Sequence, residues 1–511
     1  MNRFIDTRGT VRDPLTFCEV VVQGIAPGGG LFVPQEVPAI SLDDICALAS
    51  LTYAERAAFV YNAFDVDIEP LDVARIMAGA YGEQWDDPAI APVVDLGDNT
   101  YVLELFHGPT SAFKDMALQC LPRVFEYASQ KLREDGKLDH DHLILVATSG
   151  DTGKAALEGF AGREHVSICV FYPHGGVSDI QLRQMTTQQG GNVCVFGAYG
   201  DFDDCQTSVK RTFADEEFCA QLLKEHGLAL SSANSINWGR LMPQIVYYMS
   251  GYAQMVASGA VQKGAPIDVC VPTGNFGNIL AAYYAREMGT PINKLLCASN
   301  ENNILTDFIT TGVYDIRDRK LHLTPSPSMD ILISSNLERQ LFELTDRDAT
   351  RIAGWMSELA LTGHFEVDAA TRARMQELYA ADCVTNEECL AVIGKTFEEK
   401  GYLPDPHTAV AIEVARRLKG QNPVLVASTA HWAKFSPNVW RGLHGVSATE
   451  PLPAEVASLT GIELNRLIAT QTGTKVPPNL EALETLPRRF TQVVDATKEG
   501  VETSVSAWLA G

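Results

Sequence analysis

Short apolar runs alternate with amphipathic stretches along most of this chain. The runs HLILVATSG, VSICVFYP, NVCVFGAYG, LALSSANS, IDVCVPTG, KLLCASN and NPVLVAST each end in small or polar residues. Between them lie segments with a period of about 3.6 residues, such as FDDCQTSVKRTFADEEFCAQLLKEHG and NILAAYYAREMG. Strands that are apolar throughout and separated by amphipathic helices are typical of parallel sheets covered on both faces. The pattern therefore predicts an α/β fold.

The beginning of the chain departs from this alternation. It contains the Gly/Pro-rich loop APGGGLFVPQEVP and then helical stretches, which predicts a separate N-terminal domain over residues 1–95. We expect a first α/β domain over residues 96–262 and a second over residues 263–511. The chain contains no internal repeat and no low-complexity segment.

Composition and charge narrow the class of protein. The chain has 511 residues, of which 46% are hydrophobic, so it is long enough to bury a large core. Its net charge of −24 and its lack of a Lys/Arg cluster argue against a nucleic-acid partner. The opening MNRFIDTRGTVRDP has no apolar signal core, and no apolar run reaches the roughly 18 residues of a membrane helix. We expect a cytoplasmic protein without a membrane partner.

Cysteine and histidine spacing gives no sign of a metal or disulfide framework. The eleven cysteines form no C-x-x-C pair, and several lie inside strand-like apolar runs. Such spacing is typical of reduced, buried cysteines in a cytoplasmic enzyme. The triplet His140-Asp141-His142 is interpreted as a solvated loop between a helix and a strand. No metal site is predicted.

Residues suited to chemistry lie at the ends of four predicted strands. The four segments are ATSGDTGKAAL (147–157), SSANSINWGRL (231–241), VPTGNFGNILAA (271–282) and ASTAHWAKF (427–435). Ligands of open parallel sheets bind at the carboxyl ends of the strands. We therefore expect one shared site to which all four segments contribute.

The segment VPTGNFGNILAA predicts a phosphate site. Gly274 and Gly277 lie between the strand end and a helix expected to begin near Asn278. The free amides and the positive end of such a helix suit a phosphate. A tight turn without a ligand is the alternative. A dinucleotide site is disfavoured because the spacing is G-x-x-G rather than G-x-G-x-x-G.

The segment ATSGDTGKAAL superficially resembles a nucleotide P-loop. Thr148 and Ala155 stand where a P-loop needs a glycine and a hydroxyl, so that interpretation fails. What remains is a polar loop with Ser149, Asp151 and Thr152 at the start of a helix. Its hydroxyls and amides suit a carboxylate.

The segment SSANSINWGRL supplies Asn234, Ser235, Asn237 and Arg240. Arginine is a strong bidentate partner for a phosphate or a carboxylate. An ordinary surface ion pair is the alternative for Arg240.

A single lysine interrupts the otherwise apolar helix start FHGPTSAFKDMALQ. Lys114 has Phe113, Met116 and Ala117 as neighbours, which predicts an amine that emerges from an apolar wall. A desolvated lysine has a lowered pKa and can attack an aldehyde or move a proton. The alternative is a lysine that packs its stem on apolar surface and keeps its amine in water. A lysine, a phosphate cradle and further anion-binding loops are the parts of a pyridoxal-phosphate enzyme.

Five segments together resemble the threonine synthase family: FHGPTSAFKD, SGDTG, NSIN…R, PTGNFGN and TAHWAKF. The opening DTRG…FCEVVVQGIAPGGGLFVPQEVP and the closing VPPNLEALETLPRRF are similar to the ends of its longer form, so the resemblance covers nearly the whole chain. It implies a fold-type-II pyridoxal-phosphate enzyme of the tryptophan-synthase-β type with an N-terminal domain. The implied reaction is a β,γ-elimination and replacement, the last step of threonine biosynthesis. It converts O-phospho-L-homoserine and water to L-threonine and phosphate.

The resemblance also implies a role for each residue of the site. Lys114 would form the Schiff base with pyridoxal 5'-phosphate and would move substrate protons. The cofactor phosphate would be held by Gly274, Asn275, Phe276, Gly277 and Asn278, and the pyridine nitrogen would meet Thr429. The substrate carboxylate and the ring oxygen would face Ser149, Asp151 and Thr152. The substrate phosphate would be held by the segment that carries Asn234, Ser235, Asn237 and Arg240.

Two residues depart from the family pattern, and two other functions stay open. Lys154 stands where a small residue is expected and Trp432 where a proline is expected; Lys154 adds a charge near the site. The nearer alternative is a threonine-synthase-like phospholyase, which yields a 2-oxo acid, ammonia and phosphate. The farther one is a non-catalytic binding protein of the same fold. The sequence leaves the oligomeric state open, a monomer included.

Overall fold

The computed structural model describes all 511 residues, which form four β-sheets surrounded by helices. The strands are β1 (Phe4–Asp6), β2 (Phe32–Pro34), β3 (Val93–Gly97), β4 (Thr100–Glu104), β5 (Asp141–Ala147), β6 (Val166–Pro173), β7 (Val193–Tyr199), β8 (Leu228–Ser231), β9 (Ile267–Pro272), β10 (Ile292–Ser299), β11 (Val313–Asp315), β12 (His364–Glu366), β13 (Tyr379–Cys383), β14 (Val424–Ser428) and β15 (Val493–Asp495).

Helices connect nearly all of these strands. The α-helices are α1 (Phe17–Gln23), α2 (Leu42–Ala47), α3 (Tyr53–Ala63), α4 (Pro70–Ala80), α5 (Lys114–Leu118), α6 (Leu121–Glu134), α7 (Asp151–Phe160), α8 (Asp179–Thr186), α9 (Phe202–Phe213), α10 (Glu216–His226), α11 (Trp238–Ala257), α12 (Gly277–Glu287), α13 (Ile304–Thr311), α14 (Leu337–Leu344), α15 (Ala349–Thr362), α16 (Ala369–Leu378), α17 (Asn386–Lys400), α18 (Pro406–Leu418), α19 (Ser436–His444), α20 (Ala454–Ala457), α21 (Gly461–Thr472), α22 (Pro478–Glu481) and α23 (Lys498–Leu509). Short 3₁₀ helices span Leu48–Ser50, Pro327–Met329, Trp432–Lys434 and Ala482–Glu484.

Two large sheets carry the fold. The six-stranded sheet has the order β13-β10-β9-β14-β4-β3 and is parallel except for its antiparallel β3–β4 edge. The five-stranded sheet has the order β15-β7-β6-β5-β8 and is entirely parallel. The seven apolar runs correspond to β5 to β10 and β14, so the predicted α/β fold is confirmed.

Both faces of these sheets are buried, which explains why their strands are apolar throughout. In β9, Val269 and Val271 face one hydrophobic cluster, whereas Cys270 faces another and lies against Ala411 of α18. In β6, alternate residues divide in the same way between two clusters, with Cys169 on the side of α9, α10 and α23. A strand that is buried on both faces has no solvent-exposed position for a polar side chain in its middle.

Each large sheet contains strands from distant parts of the chain. Strands β3 and β4 precede Lys114 but belong to the same sheet as β9, β10 and β14, and β15 returns from the end of the chain to pair with β7. The N-terminal segment adds the small β1–β2 sheet and helices that pack on α6 and α11. The division into 1–95, 96–262 and 263–511 stays a prediction.

Two local expectations are corrected and a third is confirmed. The stretch expected as one helix is split into α9 and α10, because Asp215 caps a new helix and accepts a hydrogen bond from the Phe218 amide at 2.9 Å. Asp141 and His142 begin β5 rather than forming a solvated loop, and burial against Phe125 lowers the pKa of His142 to about 4. The helix expected near Asn278 begins at Gly277, as predicted.

All eleven cysteines are free, and eight of them are buried. None of the helices combines the length and the hydropathy needed to cross a membrane.

Candidate active site

Lys114 is the first residue of α5 and lies beside the end of β14. The Phe113 amide donates to the Thr429 carbonyl at 2.8 Å, and Ala112 forms an isolated antiparallel bridge with Ala430. The loop before the helix is closed by the Asp115 carboxylate, which accepts hydrogen bonds from the amide and hydroxyl of Thr110 at 2.8 and 2.7 Å. These contacts fix the direction in which the Lys114 side chain leaves the backbone.

The amine of Lys114 is buried and lies among polar groups from distant segments. The residue is 8% exposed. Its Nζ lies 3.4 Å from Ser328 Oγ, 3.8 Å from Asp151 Oδ2 and 4.8 Å from the centre of the Phe113 ring. The amine is therefore buried beside the Phe113 ring, and a hydroxyl and a carboxylate also lie near its nitrogen.

Burial lowers the pKa of Lys114 to about 8, with the Asp151 carboxylate opposing the shift. The positive charges of Arg240 and Lys434 add to the lowering, and Asp115 acts weakly against it. A lysine whose pKa lies near neutral is partly unprotonated there, so it can act as a nucleophile or as a base.

Asp151, the first residue of α7, follows the loop after β5, and its carboxylate is already paired. Asp151 Oδ1 lies 2.8 Å from Lys434 Nζ and accepts a hydrogen bond from Gln181 Nε2 at 2.8 Å. These partners hold the pKa of Asp151 well below its usual range in spite of burial. A charged carboxylate repels another, so the groups left for a substrate carboxylate are the amides of this loop and the Ser149 and Thr152 hydroxyls. The amides of residues 149, 151 and 152 donate no hydrogen bond.

The glycine loop after β9 presents a row of unpaired amides. The backbone N–H groups of residues 274–279 donate to no other group. The left-handed conformation in this loop belongs to Phe276, with φ of 63°, and not to either glycine. Gly274 is needed for close packing, since a Cβ there would lie 2.9 Å from the Ser328 carbonyl oxygen. Free amides at a helix N-terminus suit a phosphate.

The side chain of Asn278 is held away from free solvent by two tyrosines. Its Oδ1 accepts hydrogen bonds from the Tyr247 hydroxyl at 2.6 Å and from the Tyr248 hydroxyl. Its Nδ2 is buried and has no partner. An unpaired buried amide is costly, and a bound acceptor would relieve that cost.

Arg240 is a buried guanidinium without an acidic partner. It is 5% exposed, its side chain makes one hydrogen bond, to the Ala233 carbonyl at 2.9 Å, and it forms no salt bridge. Burial lowers its pKa to about 10, so it stays charged at neutral pH. A buried charge is expensive unless an opposite charge pairs with it. The surface ion pair that was the alternative for Arg240 is absent.

The other residues of this segment have different surroundings. Asn237 caps α11, accepting from the Gly239 amide at 2.9 Å and donating to the Val21 carbonyl at 2.9 Å, so its amide group is fully used. Asn234 is exposed, and its Oδ1 accepts from the Ser235 amide at 2.6 Å. The Ser235 hydroxyl donates to Asn234 Oδ1 at 3.2 Å, accepts from Asn336 Nδ2 at 3.4 Å and lies 3.4 Å from Ser335 Oγ.

A segment that the sequence pattern did not reveal joins these parts. Residues 326–336 pass over the glycine loop: Ser334 Oγ donates to the Gly274 carbonyl at 2.7 Å, and Asn336 Nδ2 donates to the carbonyls of Asn275 at 3.1 Å and Ser235 at 3.2 Å. The same segment brings Ser328 to Lys114. It contains no long strand or helix and no motif, which is why periodicity gave no signal.

The two departures from the family pattern are both accommodated. Lys154 points to Glu158 Oε2, at 2.8 Å, and to Gln188 Oε1. Trp432 is buried in the 3₁₀ helix that follows β14 and packs against His431. Thr429 is buried at the end of the same strand.

A buried amine, a row of free amides and an unpaired guanidinium together fit pyridoxal phosphate and a phosphorylated substrate.

Comparison with protein families matches three parts of the chain, the last two of which overlap. Residues 3–81 match the family model described as threonine synthase N terminus. Residues 91–429 match the model described as pyridoxal-phosphate dependent enzyme. Residues 408–467 match the model described as threonine synthase, C-terminal.

Curated relatives carry two different names. The chain is 40% identical over 463 residues to threonine synthase of Pseudomonas aeruginosa, covering 89% of this chain and 93% of that one. It is 45% identical over 436 residues to human threonine synthase-like 1, covering 84% of this chain. The chain spans 58% of the length of that relative.

Solved structures of whole threonine synthases superpose on this chain. The crystal structure of PLP-bound threonine synthase from Brucella melitensis has a TM-score of 0.85, 37% identity and full coverage of both chains. The yeast threonine synthase structure also has a TM-score of 0.85, with 33% identity over 99% of each chain.

Proposed function

Because this chain belongs to the threonine synthase family of pyridoxal-phosphate-dependent enzymes, we propose that it converts O-phospho-L-homoserine and water to L-threonine and phosphate. The observation that carries the proposal is Arg240, a buried cation that no protein carboxylate neutralises. Its charge lies close enough to Lys114 to lower that residue's pKa. A phosphorylated substrate would supply the missing negative charge beside the reactive amine.

The proposal gives each strand end one task. The free amides of residues 274–279 hold the cofactor phosphate, and Lys114 holds the cofactor covalently. The Thr429 hydroxyl meets the pyridine nitrogen. The free amides of residues 149, 151 and 152, with the Ser149 and Thr152 hydroxyls, hold the substrate carboxylate. Arg240, Ser235 and Asn234 hold the substrate phosphate.

Pyridoxal phosphate supplies an electron sink for carbon–hydrogen bond cleavage next to the substrate amine. Lys114 would take the proton from the α-carbon, since its nitrogen is partly unprotonated near neutral pH. An amine carries only one extra proton at a time, so Lys114 would pass this proton to the bound cofactor before it takes a proton from the β-carbon. Arg240 stabilises the γ-phosphate as that group leaves. Lys114 would then return one proton to the γ-carbon and one to the α-carbon, while water adds its hydroxyl at the β-carbon and its other proton goes to the released phosphate. A buried site limits other reactions of water with these groups.

A phospholyase is the second candidate, because the comparisons do not name threonine synthase alone. The relatives named threonine synthase-like 1 are more similar in sequence, at 45% identity, than the bacterial threonine synthase, at 40%. The two reactions share phosphate loss and differ in the step after it. In a phospholyase, water does not add at the β-carbon, and the products are a 2-oxo acid, ammonia and phosphate.

Product analysis distinguishes the two. Purified enzyme with O-phospho-L-homoserine should release threonine and phosphate in equal amounts, without 2-oxobutyrate. Equal release of phosphate and 2-oxobutyrate, without threonine, would show that the protein is a phospholyase and not a synthase. If no phosphate is released, both functions are wrong.

A further inference from the structure

A buried ion pair lies behind the amine of Lys114. Lys434 Nζ is 2.8 Å from Asp151 Oδ1, while Lys114 Nζ is 3.8 Å from the other oxygen of the same carboxylate. One carboxylate thus stands between two lysines. Lys434 is fully buried, at 0% exposure, although the proposed reaction gives it no task.

The positions of both partners are fixed by further contacts. Lys434 Nζ donates to the Thr110 carbonyl at 2.8 Å, in the loop that precedes Lys114. Gln181 Nε2 donates to the same Asp151 oxygen that Lys434 contacts. Since Lys434 and Asp151 are buried and tethered, neither is free to exchange its partner for water.

Four charged groups face Lys114 from the elements packed around it. They are Asp151 from α7, Arg240 from α11, Lys434 from the 3₁₀ helix and Asp115 from α5 itself. Burial raises the pKa of Asp115 to about 6, and its carboxylate is occupied by Thr110. Asp151 is therefore the main group that would favour a protonated Lys114.

We propose that Lys434 is a positioning residue that holds the Asp151 carboxylate and so keeps the Lys114 nitrogen partly unprotonated near neutral pH. Without Lys434, the nearest cation to Asp151 is Lys114, whose protonated form the carboxylate would then stabilise. An opposite charge within about 4–6 Å shifts a pKa by roughly 1–3 units. The inference rests on the proposed function only in that Lys114 carries the cofactor, and it does not depend on the substrate.

The absorbance of the holoenzyme, titrated with pH in the absence of substrate, tests this inference. The visible absorbance of the bound cofactor changes when the lysine nitrogen that joins it gains or loses a proton. Lys434→Met should raise the midpoint of this titration by about one pH unit or more. Lys434→Arg keeps the charge and should restore most of the wild-type midpoint. Asp151→Asn removes the carboxylate and should lower the midpoint.

Lys154→Met is the matched control. Lys154 is also buried, paired with a carboxylate and three residues from Asp151, but it contacts Glu158 and Gln188. Its removal should leave the midpoint within a few tenths of a pH unit, because Lys154 is not among the charged groups that shift the pKa of Lys114. A shift in Lys434→Met no larger than in Lys154→Met, with circular dichroism and cofactor content intact, would overturn the proposal.

Asp151→Asn keeps the inference testable if Lys434→Met does not fold. An unchanged midpoint in folded Asp151→Asn would show that the carboxylate does not set the charge of Lys114, and the proposal would be wrong. The pH titration uses no substrate, so an unexpected midpoint would contradict only the role given to Lys434. An unexpected result in the product assay would contradict only the proposed reaction.

Discussion

Arg240 is the residue whose surroundings most clearly require a ligand. It is buried, charged at neutral pH and without a carboxylate partner, whereas another strongly buried arginine, Arg339, satisfies its guanidinium with backbone and amide oxygens. If a substrate phosphate pairs with Arg240, its contact is charge-assisted and strong. Sequence alone could not reveal this, because the same residue in an exposed position would form an ordinary ion pair.

Arg240→Ala should reduce kcat/KM for O-phosphohomoserine by roughly 30- to 1000-fold, which is about 2–4 kcal/mol of transition-state binding. The cofactor absorbance should stay intact. Arg240→Lys should recover only part of the activity, since an ammonium keeps the charge but loses the bidentate geometry. Steady-state kinetics measures both, with exposed Arg416→Ala as the control. Near-normal kcat/KM in Arg240→Ala would mean that the phosphate binds elsewhere.

Among the elements of the site, the decisive feature is how closely residues 326–329 approach the glycine loop. A Cβ on Gly274 would lie 2.9 Å from the Ser328 carbonyl oxygen and 3.3 Å from Met329 Cα, so the two backbones would have to separate. A Cβ on Gly277 would meet only the Asn336 side-chain amide, with its nitrogen at 3.3 Å. Backbone packing thus depends more on Gly274 than on Gly277.

Gly274→Ala should therefore weaken cofactor binding by about tenfold or more, or about 1.4 kcal/mol. The displaced loop would no longer direct its free amides toward a single phosphate. Equilibrium titration of the cofactor-free protein with pyridoxal phosphate measures the effect. Gly354→Ala in α15, where a Cβ meets nothing within 4 Å, is the control. Equal affinities for the two variants would place the cofactor phosphate away from this loop.

Periodicity was sufficient for the buried parallel strands and failed for elements with mixed exposure. Strands such as β9 are apolar at nearly every position because both faces are covered, and they were predicted. The edge pair β3–β4 is half-exposed and contains Asp95 and Asp98 around its turn, so it gave no strand signal. The contact between Lys434 and Asp151 joins residues far apart in the chain. A local sequence pattern cannot predict a contact between residues so far apart in the chain.

Across the molecule, Arg339 links the N-terminal segment to the site. Its guanidinium donates to the Phe32 carbonyl at 2.9 Å, to Asn336 Oδ1 at 2.6 Å and to the Ile236 carbonyl at 2.5 Å. The neighbouring Glu338 binds Arg8 through two hydrogen bonds, at 2.7 and 2.8 Å. The opening DTRG motif therefore supports the loop that carries Asn336, rather than touching the reactive amine.

Arg339→Met should destabilise the protein by about 3 kcal/mol, since it leaves two buried oxygens and one half-buried oxygen without donors. Denaturant unfolding followed by fluorescence measures the change. Arg466→Met removes exposed ion pairs with Glu481 and Glu484 and should change the free energy of unfolding by less than about 1 kcal/mol. A loss in Arg339→Met no larger than in Arg466→Met would contradict the role given to Arg339.

Lys114 is the amine that holds the cofactor in the proposed function, and borohydride labelling tests this assignment most directly. Reduction of the holoenzyme, proteolysis and mass spectrometry locate the lysine that carries the reduced pyridoxal group. We predict the label on Lys114, and a folded Lys114→Ala variant should carry none. A label on Lys154, on Lys434 or on any other lysine would contradict the assignment.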